Sequence, residues 1–235
     1  MQITDKLRAE LLKNADEAVR LSGKRFFKEE VRLHGVKTPL AQKIGKTFFN
    51  DFKQEKSKAE IFALCEKLWQ SGYLEEQIIA CDWAYGLREK YEPADWEIFA
   101  GWINNYVSNW ASCDTLCNHS VGHFTETYPI YVSGLKTLAK SANRWAKRAS
   151  AVSLVIPARK GLFLDDIFEI ATILLQDPDD LVQKGYGWML KAAAEAHQQA
   201  VFDFVIANKE NMPRTALRYA IEKMPPELKA AAMQK

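Results

Sequence analysis

The chain has 235 residues, of which 48% are hydrophobic and 26% are charged. This composition is ordinary for a globular protein and excludes disorder as the main state of the chain. The formal net charge of +2 is too small to indicate a generally basic protein, although a local cluster of positive charge can lie within a balanced total.

The four cysteines are too few, in a chain of this length, to form a disulfide framework. The amino-terminal stretch MQITDKLRAELLKNADEAVR is charged and amphipathic, and no run of 18 apolar residues occurs in the sequence. We therefore expect a soluble, reduced, cytoplasmic protein with no membrane contact.

Apolar residues recur at steps of three and four along the chain, as amphipathic helices require. Examples are the sets Leu7, Leu11, Leu12, Ala15, Ala18; Ile61, Leu64, Cys65, Leu68, Trp69; and Ile167, Ile170, Ala171, Leu174. Sustained alternation with a period of two residues is absent from the sequence. The pattern predicts a protein made of helices only.

Local chemistry marks several helix starts. The pairs Thr38-Pro39 and Asp177-Pro178 each place a capping side chain before a proline, which is favoured in the first turn of a helix. Ser57 and Glu60 have the spacing of a capping box.

Turn residues divide the chain into short helices, and helix pairs recur at a spacing of about 35–45 residues, the range of HEAT and armadillo repeats. We predict an all-α fold, a superhelical array of antiparallel helix pairs forming a HEAT/armadillo-like α-solenoid with a concave surface. No linker divides the sequence, so residues 1–235 are expected to form a single domain. An irregular all-α bundle is the alternative.

Residue types that bind metals crowd the stretch NWASCDTLCNH at 109–119, with His123 close behind. On one helix Cys113 and Cys117 share a face, whereas His119 and His123 share another, roughly 120° away. Four ligands cannot converge tetrahedrally from opposed faces of one helix, and the familiar zinc spacings are missing. We therefore expect no metal or other cofactor, with the cysteines in the core and the histidines at the surface or in caps.

Trp110 and Asp114 are four residues apart, so they share a helical face, with Cys117 near the same stripe. A carboxylate beside an indole is partly desolvated and must find a partner or meet a developing positive charge. From spacing alone the commoner interpretation is structural: an aspartate that caps a neighbouring helix or pairs with an arginine.

No acidic residue occurs between Glu126 and Asp165, although this interval is rich in lysine and arginine. Such a cluster is typical of a surface that contacts phosphates. The alternative without a specific function is a solvated helix face. Ser141 and Asn143 are expected to divide the cluster between two helices. The cations predicted to contact phosphates are Lys136, Lys140, Arg144, Lys147, Arg159 and Lys160, together with Lys184 beyond the interval.

Arg148 precedes an apolar run in RWAKRASAVSLVI, so we expect the edge of the core to hold its guanidinium for a bidentate grip on a phosphate. In QKGYGWMLKAAAE, Trp188 lies in a predicted helix that also contains Gly185 and Gly187. Glycine is unfavourable inside a helix by up to about 1 kcal/mol, which indicates close packing by a neighbouring helix or, alternatively, close approach of a ligand.

The motifs GVKTP at 35–39, NWASCD at 109–114, RWAKRA at 144–149 and QKGYGWML at 183–190 occur in this order. With them the chain resembles the bacterial DNA alkylation repair glycosylases of the AlkC/AlkD type, which are built from HEAT-like repeats. The resemblance implies that Asp114 is the catalytic carboxylate, that Trp110 and Trp188 flank the damaged nucleotide, and that Arg148 holds a phosphate.

The chain departs from that family pattern at three positions. Asn109 stands where an aromatic residue is typical, and Asp180 and Leu181 stand where aromatic residues precede the Gly-Trp helix. These departures bear on the substrate range and on DNA affinity more than on the fold.

The resemblance implies a DNA glycosylase that excises alkylated, cationic purines such as 3-methyladenine and 7-methylguanine from double-stranded DNA. It would act in the cytoplasm at the nucleoid, with no obligate protein partner. A non-catalytic α-solenoid that binds DNA or protein through a basic concave surface is the rival hypothesis, because a fold does not settle a function. An all-α metalloenzyme that uses the Cys/His group is a third.

Overall fold

The computed structural model describes residues 2–234, and no β-strand occurs within that range. An isolated β-bridge joins Arg32 and Tyr73. No helix in the described range is both long and apolar enough to cross a membrane. The chain divides into two compact units, one ending at Leu116 and the other beginning at Cys117.

Within residues 2–116, the first unit contains seven α-helices. They are α1 (Ile3–Lys13), α2 (Glu17–Lys24), α3 (Thr38–Phe52), α4 (Lys58–Gln70), α5 (Leu74–Tyr85), α6 (Asp95–Asn105) and α7 (Trp110–Thr115). A short 3-10 helix, Arg88–Lys90, follows α5. Helix α5 packs against both α3 and α4, which is why residues around its whole circumference are buried. Buried indoles and phenyl rings form the core of this unit, among them Trp69, Trp83, Phe99 and Trp102.

A π-helix, Leu116–Val121, follows α7. The second unit contains α8 (Gly122–Thr127), α9 (Val132–Ala139), α10 (Arg144–Val152), α11 (Val155–Arg159), α12 (Leu164–Ile173), α13 (Asp180–Asn208), α14 (Arg214–Ile221) and α15 (Pro226–Met233). A short 3-10 helix, Pro129–Tyr131, precedes α9. Helix α13 packs against α10, α11 and α14 and bends at His197, whose backbone leaves helical geometry.

The predicted capping box is confirmed, since Ser57 and Glu60 bond reciprocally at the start of α4. The bonds that Glu60 accepts from the backbone N–H and the hydroxyl of Ser57, followed by the bond from Lys56, lower the pKa of the Glu60 carboxyl to about 2. The predicted caps at Thr38 and Asp177 are wrong. Helix α3 starts at Thr38 with no side-chain cap, whereas α13 starts later, where Asp179 accepts bonds from the backbone N–H groups of Leu181 and Val182.

The predicted break in the basic segment is confirmed. Helix α9 ends at Ala139 and α10 starts at Arg144. Between them the Ser141 hydroxyl accepts a bond from the backbone N–H of Asn143, and the Asn143 side chain accepts one from Trp145. A residue whose side chain competes for backbone donors favours a helix end over a helix interior.

Candidate active site

Helix α7 carries Trp110 and Asp114, and its start is fixed by Asn109. The Asn109 side chain is buried and accepts a bond of 2.9 Å from the backbone N–H of Ser112. Asparagine is among the best residues for this capping position because its oxygen satisfies a backbone donor that the helix leaves unpaired. The position where the resemblance implies an aromatic residue therefore has a clear structural role in this chain.

Trp110 is held by the loop that follows α2. Its indole stacks on the ring of Phe27, with 5.4 Å between centroids and 25° between planes. The indole N–H donates to the carbonyl of Phe26 at 3.3 Å. Two such contacts fix the plane of the indole, which remains partly exposed.

Asp114 lies one turn beyond Trp110 on α7, as the spacing predicts, and it is half-buried. Side chains four residues apart lie on the same face of an α-helix. The sequence-based prediction that a carboxylate and an indole share one helical face is therefore confirmed.

A cavity of about 280 Å³ adjoins Trp110 within the first unit. Its walls are mostly apolar and come from α2, α3, α5 and the loop after α2; Phe26, Phe27, Leu33 and Val36 belong to them. Lys37 and Glu75 supply charged groups to the same lining. No predicted motif accounts for this cavity. The signal in the sequence is the doubled phenylalanine in RFFKEE, whose two rings lie in the cavity wall.

The expectation of one continuous α-helix through residues 109–123 is wrong. From Leu116 the backbone is π-helical, with bonds from residue i to i+5 in place of i+4, so the spacing argument fails beyond Thr115. Cys113 and Cys117 are both fully buried, which confirms their prediction as core residues. His119 is exposed. Within residues 2–234, no group of three or more metal-binding side chains is placed to hold an ion.

Arg148 lies in the second unit, on α10, and is only 6% exposed. Its guanidinium donates to the carbonyl of Leu181 at 2.5 Å. The expectation that the edge of the core holds this guanidinium is thereby confirmed.

Trp188 is half-buried on α13, close in sequence to two glycines that face other helices. A Cβ at Gly185 would lie 3.4 Å from Arg148 Cγ. A Cβ at Gly187 would lie 2.7 Å from Tyr219 Cβ, closer than real Cβ contacts. Close helix packing, the first of the two interpretations of these glycines, is confirmed.

The basic segment contains no acidic residue of its own, yet most of its cations form ion pairs. Carboxylates from α8, α12, α13 and the turn before α13 lie beside its cations, so the absence of acids from the segment itself does not leave these cations unpaired. The ion pairs are Lys136 with Asp166 and Glu169, Arg144 with Asp179, Lys147 with Asp177, Arg159 with Glu195, Lys160 with Glu126, and Lys184 with Asp180. Lys140 alone of the predicted set forms no ion pair within the described residues. Contact of these residues with DNA stays a prediction.

Comparisons with known proteins agree with this helical architecture. The family model described as DNA alkylation repair enzyme matches residues 7–224. Among solved structures, the chain is similar to a predicted DNA alkylation repair enzyme from Enterococcus faecalis, with a TM-score of 0.80 and 16% identity. That match covers 91% of this chain and 98% of the other. A search of curated proteins finds no match.

The fold and the family match define an all-α protein of DNA repair, and the predicted fold class is confirmed. The chain belongs to the DNA alkylation repair enzyme family, because the family model matches nearly all of it. Its substrate is accordingly DNA that carries alkylation damage.

Proposed function

We propose that the protein is a DNA glycosylase that excises alkylated, cationic purines, such as 3-methyladenine and 7-methylguanine, from double-stranded DNA. The observation that carries the proposal is the half-buried Asp114 carboxylate one helical turn from a fixed indole, in a chain of the alkylation repair family. As in the sequence-based hypothesis, the reaction uses no cofactor, and the protein acts in the cytoplasm at the nucleoid.

The chemistry needs little acid catalysis. Alkylation at N3 or N7 makes the purine cationic, so the base leaves as a neutral molecule when the bond from C1′ to the base nitrogen breaks with its electron pair. The sugar then passes through a transition state with oxocarbenium character. Water adds at C1′ and releases a proton, which gives the free base and an abasic site.

Asp114 has two tasks in this proposal. Its negative charge stabilises the positive charge that develops on the sugar, and its oxygen orients the attacking water and accepts the proton. The partly buried position on α7 supports the first task, because electrostatic attraction is stronger where the effective dielectric constant is low.

The other three proposed residues bind and orient the substrate. The indoles of Trp110 and Trp188 attract the cationic nucleotide through their ring faces and exclude water from it. Arg148 holds a backbone phosphate, and its bond to the carbonyl of Leu181 supports this role, since a fixed guanidinium loses little entropy on binding.

The test is release of 7-methylguanine from methylated duplex DNA, measured by chromatography against a blank without protein. We expect release by the wild type and a loss of about 10²–10³-fold in its rate for Asp114→Asn, the magnitude typical of removing one preorganised electrostatic group. Asn109→Asp, which retains the capping oxygen, is the control for the integrity of α7. Absence of release by the wild type would rule out this substrate, and full activity of Asp114→Asn would rule out the assigned role.

A non-catalytic protein that binds DNA or protein is the alternative function. Measurement of DNA binding in the same samples separates the two functions, because the alternative requires wild-type binding without base release.

A further inference from the structure

We propose that a positively charged groove between α3 and α5 binds the sugar-phosphate backbone of duplex DNA. This α3–α5 groove has a volume of about 640 Å³ and lies entirely within the first unit. Its lining includes Lys43, Lys46, Phe49, Lys53, Tyr85 and Arg88. The inference rests on the proposed function only in taking DNA as the partner.

The lining of the groove has an excess of positive charge. Lys43 and Lys46 lie one turn apart on α3, and both are exposed. Neither forms an ion pair with a carboxylate among residues 2–234, in contrast to the paired lysines of α9 and α10. Asp82 is the acidic residue of the lining, and it accepts a bond of 3.5 Å from the Gln42 side chain.

Two further cations are positioned by aromatic rings. The guanidinium of Arg88 lies 4.7 Å from the centroid of Tyr85 and donates to the Tyr85 carbonyl at 3.4 Å. Its ion pair with Glu89 is at the surface, with both side chains exposed, so it contributes little. Lys53 lies 5.8 Å from the centroid of Phe49 and donates to Asn50 at 2.7 Å. Rings of this kind orient cations without neutralising them.

The shape of the groove is preset by packing. The indole of Trp83 donates to the carbonyl of Gly45 at 2.8 Å and thereby ties α5 to α3. A Cβ at Gly45 would lie 2.8 Å from the side chain of Ile79, so glycine is required for this close approach. A groove that is rigid before binding loses little conformational entropy when a ligand enters.

These features favour a regularly spaced polyanion. Lysine is a point charge suited to phosphate, and phosphates follow one another along each strand of a duplex. Backbone contacts position a protein on DNA without reading sequence, which suits an enzyme that must search for rare damaged bases.

The experiment measures binding of an undamaged fluorescent duplex by anisotropy over a range of salt concentrations. The groove variant is Lys43→Gln with Lys46→Gln. The control is Lys6→Gln with Lys13→Gln. These substitutions replace two exposed lysines of α1 and remove the same amount of charge outside the groove. Because each phosphate contact contributes about 0.9 to the slope of log K against log salt, the groove variant is expected to lower that slope by about 1.8. The control is expected to match the wild type.

Equal slopes for the groove variant and the wild type, with wild-type binding intact, would overturn the groove and leave the glycosylase proposal standing. An equal decrease of the salt slope in the groove variant and in the α1 control would show that the total charge of the protein determines DNA binding. That result would also overturn the proposed groove. If the wild type binds a heparin oligosaccharide through these lysines but no duplex, the assignment to DNA is wrong. Asp114→Asn should keep the slope while it loses excision, which separates the two proposals.

Discussion

At the residue scale, two adjacent carboxylates explain how the segment before α3 is held. Glu75 accepts three bonds, from the backbone N–H groups of His34, Gly35 and Val36, at 2.9–3.1 Å. Gly35 has φ of +96° and lies so close to Asp16 that a Cβ would approach its carbonyl oxygen to 2.5 Å. These bonds and the close packing of Gly35 therefore constrain the start of the GVKTP motif, whatever its function.

Glu76 is fully buried beside this segment. Its carboxylate accepts bonds of 2.8 Å from His34 Nε2 and from the guanidinium of Arg8. Burial acts to raise the pKa of Glu76, but the bonds from His34 and Arg8 outweigh it and leave the pKa below its ordinary value of 4.5. A carboxyl whose pKa is lowered by folding stabilises the fold above its unfolded pKa, and that stabilisation is lost as the pH falls towards the folded pKa.

We predict that Glu76→Gln lowers the free energy of unfolding by about 1–3 kcal/mol at neutral pH, because it weakens the bonds to Arg8 and His34. The variant should also lose less stability than the wild type between about pH 5 and pH 3. Urea unfolding at several pH values measures both effects. Glu97→Gln, at an exposed position on α6, is the control. A pH dependence identical to that of the wild type would show that Glu76 makes no such contribution.

Asn109→Ala removes the cap of α7 and is expected to cost about 1 kcal/mol. Asn109→Ser keeps an acceptor at the same position and should recover most of that loss. Chemical unfolding of both variants measures the difference. Equal losses for alanine and serine would mean that the side-chain oxygen is not what stabilises the helix start.

At the scale of the elements, α13 shows how packing overrides helix propensity. Gly185 and Gly187 are unfavourable for a helix when considered alone, yet they allow α10 and α14 to approach. The contact of Gly185 with Arg148 Cγ also links this packing to the proposed phosphate-binding residue.

Two glycine-to-alanine substitutions should therefore act in opposite directions. Gly187→Ala is expected to destabilise the protein by about 1–3 kcal/mol, because its Cβ would lie 2.8 Å from the Ala216 carbonyl oxygen. Gly101→Ala, on α6, meets no described atom within 4 Å and should stabilise by about 0.5–1 kcal/mol through helix propensity. Thermal and urea unfolding measure both changes, and a stabilising Gly187→Ala would contradict the packing argument.

At the scale of the whole molecule, charge is arranged differently from its order in the sequence. The carboxylates that pair with the segment between Glu126 and Asp165 come mostly from later residues, and Asp166 together with Glu169 raises the pKa of Lys136. The exposed lysines of α3 lack such partners among the described residues.

This arrangement predicts unequal contributions of the basic segment to DNA binding. Lys140→Gln should lower the salt slope of duplex binding by about 0.9, the contribution of one phosphate contact. Lys136→Gln should lower it less, because Asp166 and Glu169 compete with phosphate for the same ammonium group. Parallel salt titrations of the two variants test the prediction, and a larger effect for Lys136→Gln would contradict it.

The sequence by itself determined the helical fold class, the family, the cap at Ser57 and the shared face of Trp110 and Asp114. The fold class, the cap and the shared face depend on residues close together in the chain, where periodicity and capping chemistry decide the outcome. The family followed instead from a resemblance carried by four motifs between residues 35 and 190. Only the tertiary structure decided the π-helix after Thr115, the stacking of Phe27 on Trp110, the bond from Arg148 to Leu181 and the pairing of the basic segment. The last three features depend on groups that folding brings together from distant parts of the chain. The residues that neighbour a charge or a ring in the sequence do not determine which distant group will contact it.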